Sequence, residues 1–168
     1  MFISYAVNIF DIEGVCIDGP FGGNGGNAFD VTSPGDYIES IRVCQSGNGL
    51  FSGLAAGFDL TLSGTGGTFA VGCYDKQTPY MTVSLNSGEV ITEVDVYVGT
   101  SNGFGVPLVE GLTFRTSEAR EFGPFGLTTG TKSTSSGSRL NGFVGRAGHA
   151  MDQISFVWES SSACGEIY

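Results

Sequence analysis

Short runs of β-branched and aromatic residues recur along the chain between glycine-rich turns, and within the runs apolar positions alternate with small or polar ones. The clearest are Ile41-Arg42-Val43, Val94-Asp95-Val96-Tyr97-Val98 and Ile154-Ser155-Phe156-Val157-Trp158. Such alternation belongs to strands with one buried face rather than to helices. One phrase, Gly-x-x-apolar-x-x-apolar, introduces each run: Gly35-Asp36-Tyr37-Ile38-Glu39-Ser40-Ile41, Gly88-Glu89-Val90-Ile91-Thr92-Glu93-Val94 and Gly148-His149-Ala150-Met151-Asp152-Gln153-Ile154. The copies start 53 and 60 residues apart, which suggests three similar sheets.

A second phrase recurs beside the first. Gly19-Pro20-Phe21-Gly22 precedes a glycine loop, Gly123-Pro124-Phe125-Gly126 precedes Leu127-Thr128-Thr129-Gly130, and a third loop is Gly64-Thr65-Gly66-Gly67. With the chain treated as closed on itself, each loop falls between one copy of the first phrase and the next, an order that a threefold prism satisfies. A four-stranded sheet of this length cannot hide its apolar face alone, whereas three sheets around one axis can. The positions expected inside or between sheets are Phe29, Phe58, Leu60, Leu62, Val83, Leu85, Val96, Val98, Leu112, Phe114, Phe143, Ile154, Phe156 and Trp158.

Composition narrows the class. The 168 residues include 28 glycines with no three-residue period, so the chain reads as one all-β domain and not as collagen. Seventeen acidic against seven basic residues give a formal net charge of −10, which argues against nucleic acid and anionic membrane surfaces as partners. No run is long and apolar enough to insert in a membrane. Cys16, Cys44, Cys73 and Cys164 lack zinc-site spacing and point instead to disulfides in an oxidising, extracellular setting. Pairing Cys16 with Cys164 and Cys44 with Cys73 would close local layers, and a bond between subunits stays open. Residues 1–17 read as an extra N-terminal arm, 18–159 as the domain and 160–168 as a tail. Residues 2–9 look like a strand that pairs within the domain or with a second chain, giving a homodimer.

The chemistry gathers at Gly148-His149-Ala150-Met151-Asp152, a stretch too short for a helix that predicts a tight loop with exposed N–H groups and one carboxylate. Vicinal hydroxyls of a sugar both donate and accept, so a carboxylate with nearby N–H donors matches them. Gly26, without a side chain, lets the backbone approach from the opposite side. The plainer readings are a hairpin loop at Gly22–Gly26 and a turn-capping aspartate at Asp152. His149 is the single histidine, and no Gly-x-Ser-x-Gly, His-Glu-x-x-His or paired-carboxylate pattern accompanies it, so no enzyme activity, metal or cofactor is expected.

Taken in order, Gly22-Gly23-Asn24-Gly25-Gly26-Asn27, Phe122-Gly123-Pro124-Phe125-Gly126 and the Gly-x-x-x-Asp before the last apolar run resemble the jacalin-related lectins across residues 18–159. The resemblance implies an all-β β-prism of three four-stranded antiparallel Greek-key sheets with pseudo-threefold symmetry. It further implies a sugar bound by Gly26, by the N–H groups of His149 and Ala150 in the loop opened by Gly148, and by the Asp152 carboxylate. Galactose-preferring members are cleaved ahead of the glycine loop and carry aromatics in the terminal loop. This chain runs unbroken there and has His149-Ala150, which favours mannose or glucose.

Departures from the pattern matter too. At the position of Asp152 the first phrase has Glu39 and the second Thr92, so Asp36, Tyr37 and Glu39 with loop 64–67 offer only a weaker second site. Neutral hydrogen bonds net about 1 kcal/mol each, so one shallow site should bind a monosaccharide at roughly millimolar strength. Two functions from different classes follow: a secreted lectin for glycans or glycoproteins, or an acidic extracellular matrix protein that binds calcium or mineral on the same scaffold.

Overall fold

A computed structural model describes residues 15–32, 35–46, 52–64, 67–73, 80–101, 103 and 105–159. Twelve strands follow in chain order: β1 (Val15–Gly22), β2 (Asn27–Thr32), β3 (Ile38–Gln45), β4 (Ala55–Leu62), β5 (Thr68–Gly72), β6 (Tyr80–Ser84), β7 (Ile91–Gly99), β8 (Leu108–Thr116), β9 (Glu121–Gly126), β10 (Thr131–Ser136), β11 (Leu140–Ala147) and β12 (Met151–Glu159). They form three four-stranded antiparallel sheets, ordered β1-β12-β11-β2, β5-β4-β3-β6 and β10-β7-β8-β9. In each, an inner hairpin (β11-β12, β3-β4 or β7-β8) is flanked by the next two strands, and in the first sheet those two come from the start of the chain. This is the β-prism of Greek-key sheets, closed by the two ends of the domain. The expected arm over 1–17 and tail over 160–168 lie largely outside the described residues; Val15, Cys16 and Ile17 already belong to β1, paired with Glu159, Trp158 and Val157.

The apolar sides of the three sheets meet in one core. Phe143 of β11 stands between the other sheets, its ring centroid 4.8 Å from that of Phe58 in β4 and 6.5 Å from that of Phe114 in β8. Phe156 lies 6.0 Å from the same ring. Of the fourteen residues expected inside, Phe29, Leu85 and Val98 are partly buried and packed against the core, and the others are buried. Cys44 and Cys73 form a disulfide. Cys16 is disulfide-bonded as well, while Cys164 lies outside the described residues. Among the described residues no cysteine is free.

The repeated phrase has a physical meaning that differs from three equivalent corners. Its fourth and seventh residues all point inward: Ile38, Ile91 and Met151 are 3 %, 1 % and 0 % exposed, and Ile41, Val94 and Ile154 are 0 % exposed. Two inward side chains three apart cannot come from a regular strand, where alternate residues share a face. The pairing shows why. Glu39, Thr92 and Asp152 are each skipped in the register with the partner strand, making each the extra residue of a β-bulge.

Every inner hairpin carries such a bulge at both ends, and the phrase does not tell them apart. Asn141, Glu39 and Thr92 are skipped at the end away from the hairpin turn, whereas Asp152, Ala56 and Glu110 are skipped beside it. Two further observations fix this equivalence. Ala150, Leu54 and Leu108, each two residues before the skipped one, gather in one small apolar cluster that brings the three turns to one end of the prism. Gly23 N donates to Asp152 O at 2.7 Å in the first sheet, and Leu127 N donates to Glu110 O at 2.9 Å in the third. The counterparts of Asp152 are therefore Ala56 and Glu110, not Glu39 and Thr92.

Candidate functional site

The bulge decides where the Asp152 side chain goes. An unpaired residue at a strand start is re-aimed out of the pleat, and here the carboxylate turns toward the loop between β1 and β2. A Cβ built on Gly26 would stand 2.5 Å from Asp152 Oδ2, and one on Gly25 would collide with Oδ1. Only hydrogen fits at either position, so the two glycines are what allows a carboxylate and a backbone loop to share one corner. Gly26 is also left-handed, with φ of +63°, which favours glycine independently. Gly148 is close to the same oxygen, a Cβ there lying 3.7 Å from Oδ2.

The terminal turn is tight. Gly148 N donates to Ala150 O at 2.9 Å, the Ala150 methyl is buried in the apical cluster, and the His149 side chain is exposed. Gly26, Gly148, His149, Ala150 and Asp152 thus come together as the sequence suggests. Burial pushes the Asp152 carboxyl above the usual aspartate value of 3.8, and the nearby Arg146 charge and backbone N–H groups offset this only in part.

Two side chains that pattern reading overlooked hold the loop. Arg146, on β11, donates from Nε to Gly25 O at 2.8 Å and from Nη2 to Gly26 O at 2.8 Å. Gln153 Nε2 donates to Gly23 O at 2.9 Å. With Gly23 N bonded to Asp152 O, the glycine loop is tied to β11 and β12 at both ends. The third sheet adds a wall, because a Cβ on Gly23 would lie 2.5 Å from Pro107 O. Nothing in the hydrophobic pattern marks Arg146 or Gln153, because what they hold is backbone carbonyl.

Asp36 and Tyr37 do come near Gly64 and Ser63, and Glu39 follows them in β3, but at the far end of that strand from its hairpin turn. A Cβ on Gly64 would contact the Asp36 carboxylate. Tyr37 N donates to Ser63 Oγ at 3.0 Å, and Ser63 N returns a bond to Tyr37 O at 2.8 Å. This is a strand crossover closed on itself. The expected second site loses its basis, since loop 64–67 joins β4 to β5 whereas the glycine loop of Gly26 joins β1 to β2.

The fold and the family are shared with known proteins. A jacalin-like lectin domain model matches residues 18–157. The jacalin-related lectin Calsepa of Calystegia sepium is 32 % identical over 148 residues, covering 82 % of this chain and 91 % of its own length. Jacalin-related lectin 3 of Arabidopsis thaliana is 30 % identical over 149 residues, 81 % of this chain but 22 % of its own. Among solved structures, Calsepa in complex with a bisected glycan superposes with a TM-score of 0.70 at 26 % identity, covering 86 % of this chain and 97 % of its own. A mannose-specific jacalin-related lectin from Morus nigra, in complex with mannose, gives 0.73 at 23 % identity, covering 89 % and 97 %. A three-sheet prism with a bulge carboxylate set against a glycine loop defines a lectin scaffold. The chain belongs to the jacalin-like lectin family.

Proposed function

We propose that this protein is a secreted lectin that takes a mannose- or glucose-type residue between Gly26 and the Gly148–Asp152 turn. The observation that carries the reading is the Asp152 carboxylate, turned by its bulge onto Gly25 and Gly26. Its oxygens accept from two adjacent sugar hydroxyls, while the N–H groups of His149 and Ala150 donate to hydroxyl oxygens on the ring. No side chain of this corner supplies a nucleophile or a positioned acid–base pair, so binding is the activity proposed. The Calsepa and Morus nigra proteins, crystallised with a bisected glycan and with mannose, support the ligand class.

The Cys44–Cys73 disulfide supports an oxidising, extracellular location. Pairing of two copies through residues 2–9, which lie outside the described residues, would add the avidity that one weak corner lacks. Among the described residues no group of three or more His, Cys, Asp or Glu side chains is arranged to hold a metal ion, and no specific observation favours the calcium or mineral reading. A glycan array together with calorimetric titration of methyl α-mannoside and methyl β-galactoside tests the proposal. Mannose-type binding that Asp152→Ala abolishes is the expected result; an array silent for the native protein would sink it.

A further inference from the structure

Glu110 is 0 % exposed, and among the described residues no cation pairs with it. Burying a carboxylate without a charged partner is costly, so its surroundings call for explanation. Its place in the prism supplies one. Glu110 and Asp152 are the same bulge residue in two sheets, with the same backbone bond from the loop after Gly126 or Gly22. Aligning the two Gly-Pro-Phe-Gly phrases sets Thr129 against Gly25 and Gly130 against Gly26. On the other side Gly99 matches Gly148: a Cβ on Gly99 would stand 2.5 Å from Glu110 Oε1.

The two corners differ in what meets the carboxylate. At Asp152 the turn between β11 and β12 is short, and the carboxylate faces outward over the glycines. At Glu110 the connection between β7 and β8 is longer in sequence, and two donors of the chain itself meet the carboxylate: Ser101 N donates to Oε1 at 2.8 Å, and Thr129 Oγ1 donates to Oε2 at 3.1 Å. The Ser101 and Thr129 hydroxyls lie 3.4 Å apart. One backbone N–H and a hydroxyl thus reach the two carboxylate oxygens from outside, which is how a sugar would present adjacent hydroxyls to an acidic side chain. Glutamate's additional methylene lets it meet these donors.

We propose that the Glu110 corner is a second hexose-type corner occupied by its own chain, with Ser101 and Thr129 standing in for ligand hydroxyls and Ser101 acting as the plug. This rests on the reading of Asp152 as the sugar-binding carboxylate. The native protein then holds one sugar per chain, and removing the plug opens a second corner.

The test replaces residues 100–107 with a single histidine, matching the one residue that separates Gly148 from Ala150, adds Thr129→Gly, and places both in an Asp152→Asn background. Saturation-transfer NMR with methyl α-mannoside reads binding, and the same replacement with Asp152 intact controls for folding and for the first corner. The opened chain should regain binding within about tenfold of the Asp152 corner, and Glu110→Gln should remove it. No transfer in the opened chain, while its Asp152-intact counterpart binds normally, overturns the proposal. Native protein that fails to bind while the opened chain binds would instead refute the Asp152 reading and support this corner alone. If circular dichroism shows the replacement unfolded, deleting residues 101–104 together with Thr129→Gly in the Asp152→Asn background removes both internal donors and uncovers Glu110 with a milder change. Transfer that depends on Glu110 supports the corner there, and its absence overturns it.

Discussion

Asp152 shows how one residue sets function against stability. Its folded pKa lies above that of the free carboxyl because burial penalises the charge. For a group shifted this way the folded state binds the proton more tightly than the unfolded state, so stability falls as pH rises from the unfolded to the folded value. At neutral pH the charged side chain is thus a net cost to the fold. Asp152→Asn should therefore weaken methyl α-mannoside binding more than about tenfold, the loss of a charge-assisted hydrogen bond, while leaving the melting temperature equal or higher. Calorimetric titration beside a thermal melt checks both halves, and a variant that loses stability along with binding would contradict this account. Arg146→Ala removes the donors to Gly25 O and Gly26 O without touching the ligand. It should weaken binding about three- to tenfold, as expected for loosening a preorganised loop. Gly26→Ala should abolish binding outright, because its methyl would press on Oδ2.

At the scale of elements, the strands were legible because inward and outward residues alternate, and Phe58, Phe114, Phe143 and Phe156 could be assigned to the core from that alternation alone. The glycine phrase was legible too, but as a local signal. Gly-x-x-apolar-x-x-apolar encodes a turn followed by a bulge, and a bulge at either end of a hairpin produces the same letters. Which end it marks depends on pairing between strands far apart in sequence, and local spacing does not carry that information. Glu110 escaped notice for the same reason, since Leu108-Val109-Glu110-Gly111-Leu112 reads as ordinary strand with one charged residue. Arg146 and Gln153 were invisible because what they hold is backbone carbonyl, which leaves no residue pattern. The disulfide acts at this scale. Cys44 and Cys73 lie 29 residues apart, so in the chain-entropy view reducing the bond should cost about 3 to 4 kcal/mol. Denaturant melts of a Cys44→Ala/Cys73→Ala variant would measure it. Phe143→Ala, which removes the ring joining all three sheets, should cost about 3–5 kcal/mol in the same melts.

Across the whole molecule, acid should separate binding from folding. Burial alone would raise the Glu89 carboxyl, but Asn86 N–H, Thr116 Oγ1 and the Arg120 guanidinium outweigh it and hold it below its usual 4.5. Asp95 is likewise below 3.8, because Arg115, Thr134 and Lys132 overcome its burial. Groups depressed in this way stabilise the fold above their unfolded values and lose that contribution as pH falls through their lower folded values. Arg120 with Glu89 fastens the end of the prism away from the sugar corner, and Arg115 with Asp95 ties β8 to β7. Asp152 moves the other way from the same ordinary value as Asp95, so it protonates before Asp95 as the solution is acidified. A protonated Asp152 no longer presents the acceptor that the sugar needs, whereas protonating it relieves a cost to the fold. Titrating methyl α-mannoside binding and near-ultraviolet circular dichroism across the acid range should place the midpoint of binding loss at a higher pH than that of unfolding. Between the two lies a folded prism that does not bind. Unfolding that precedes or coincides with the loss of binding would mean that Asp152 does not carry the interaction in the charged form assigned to it.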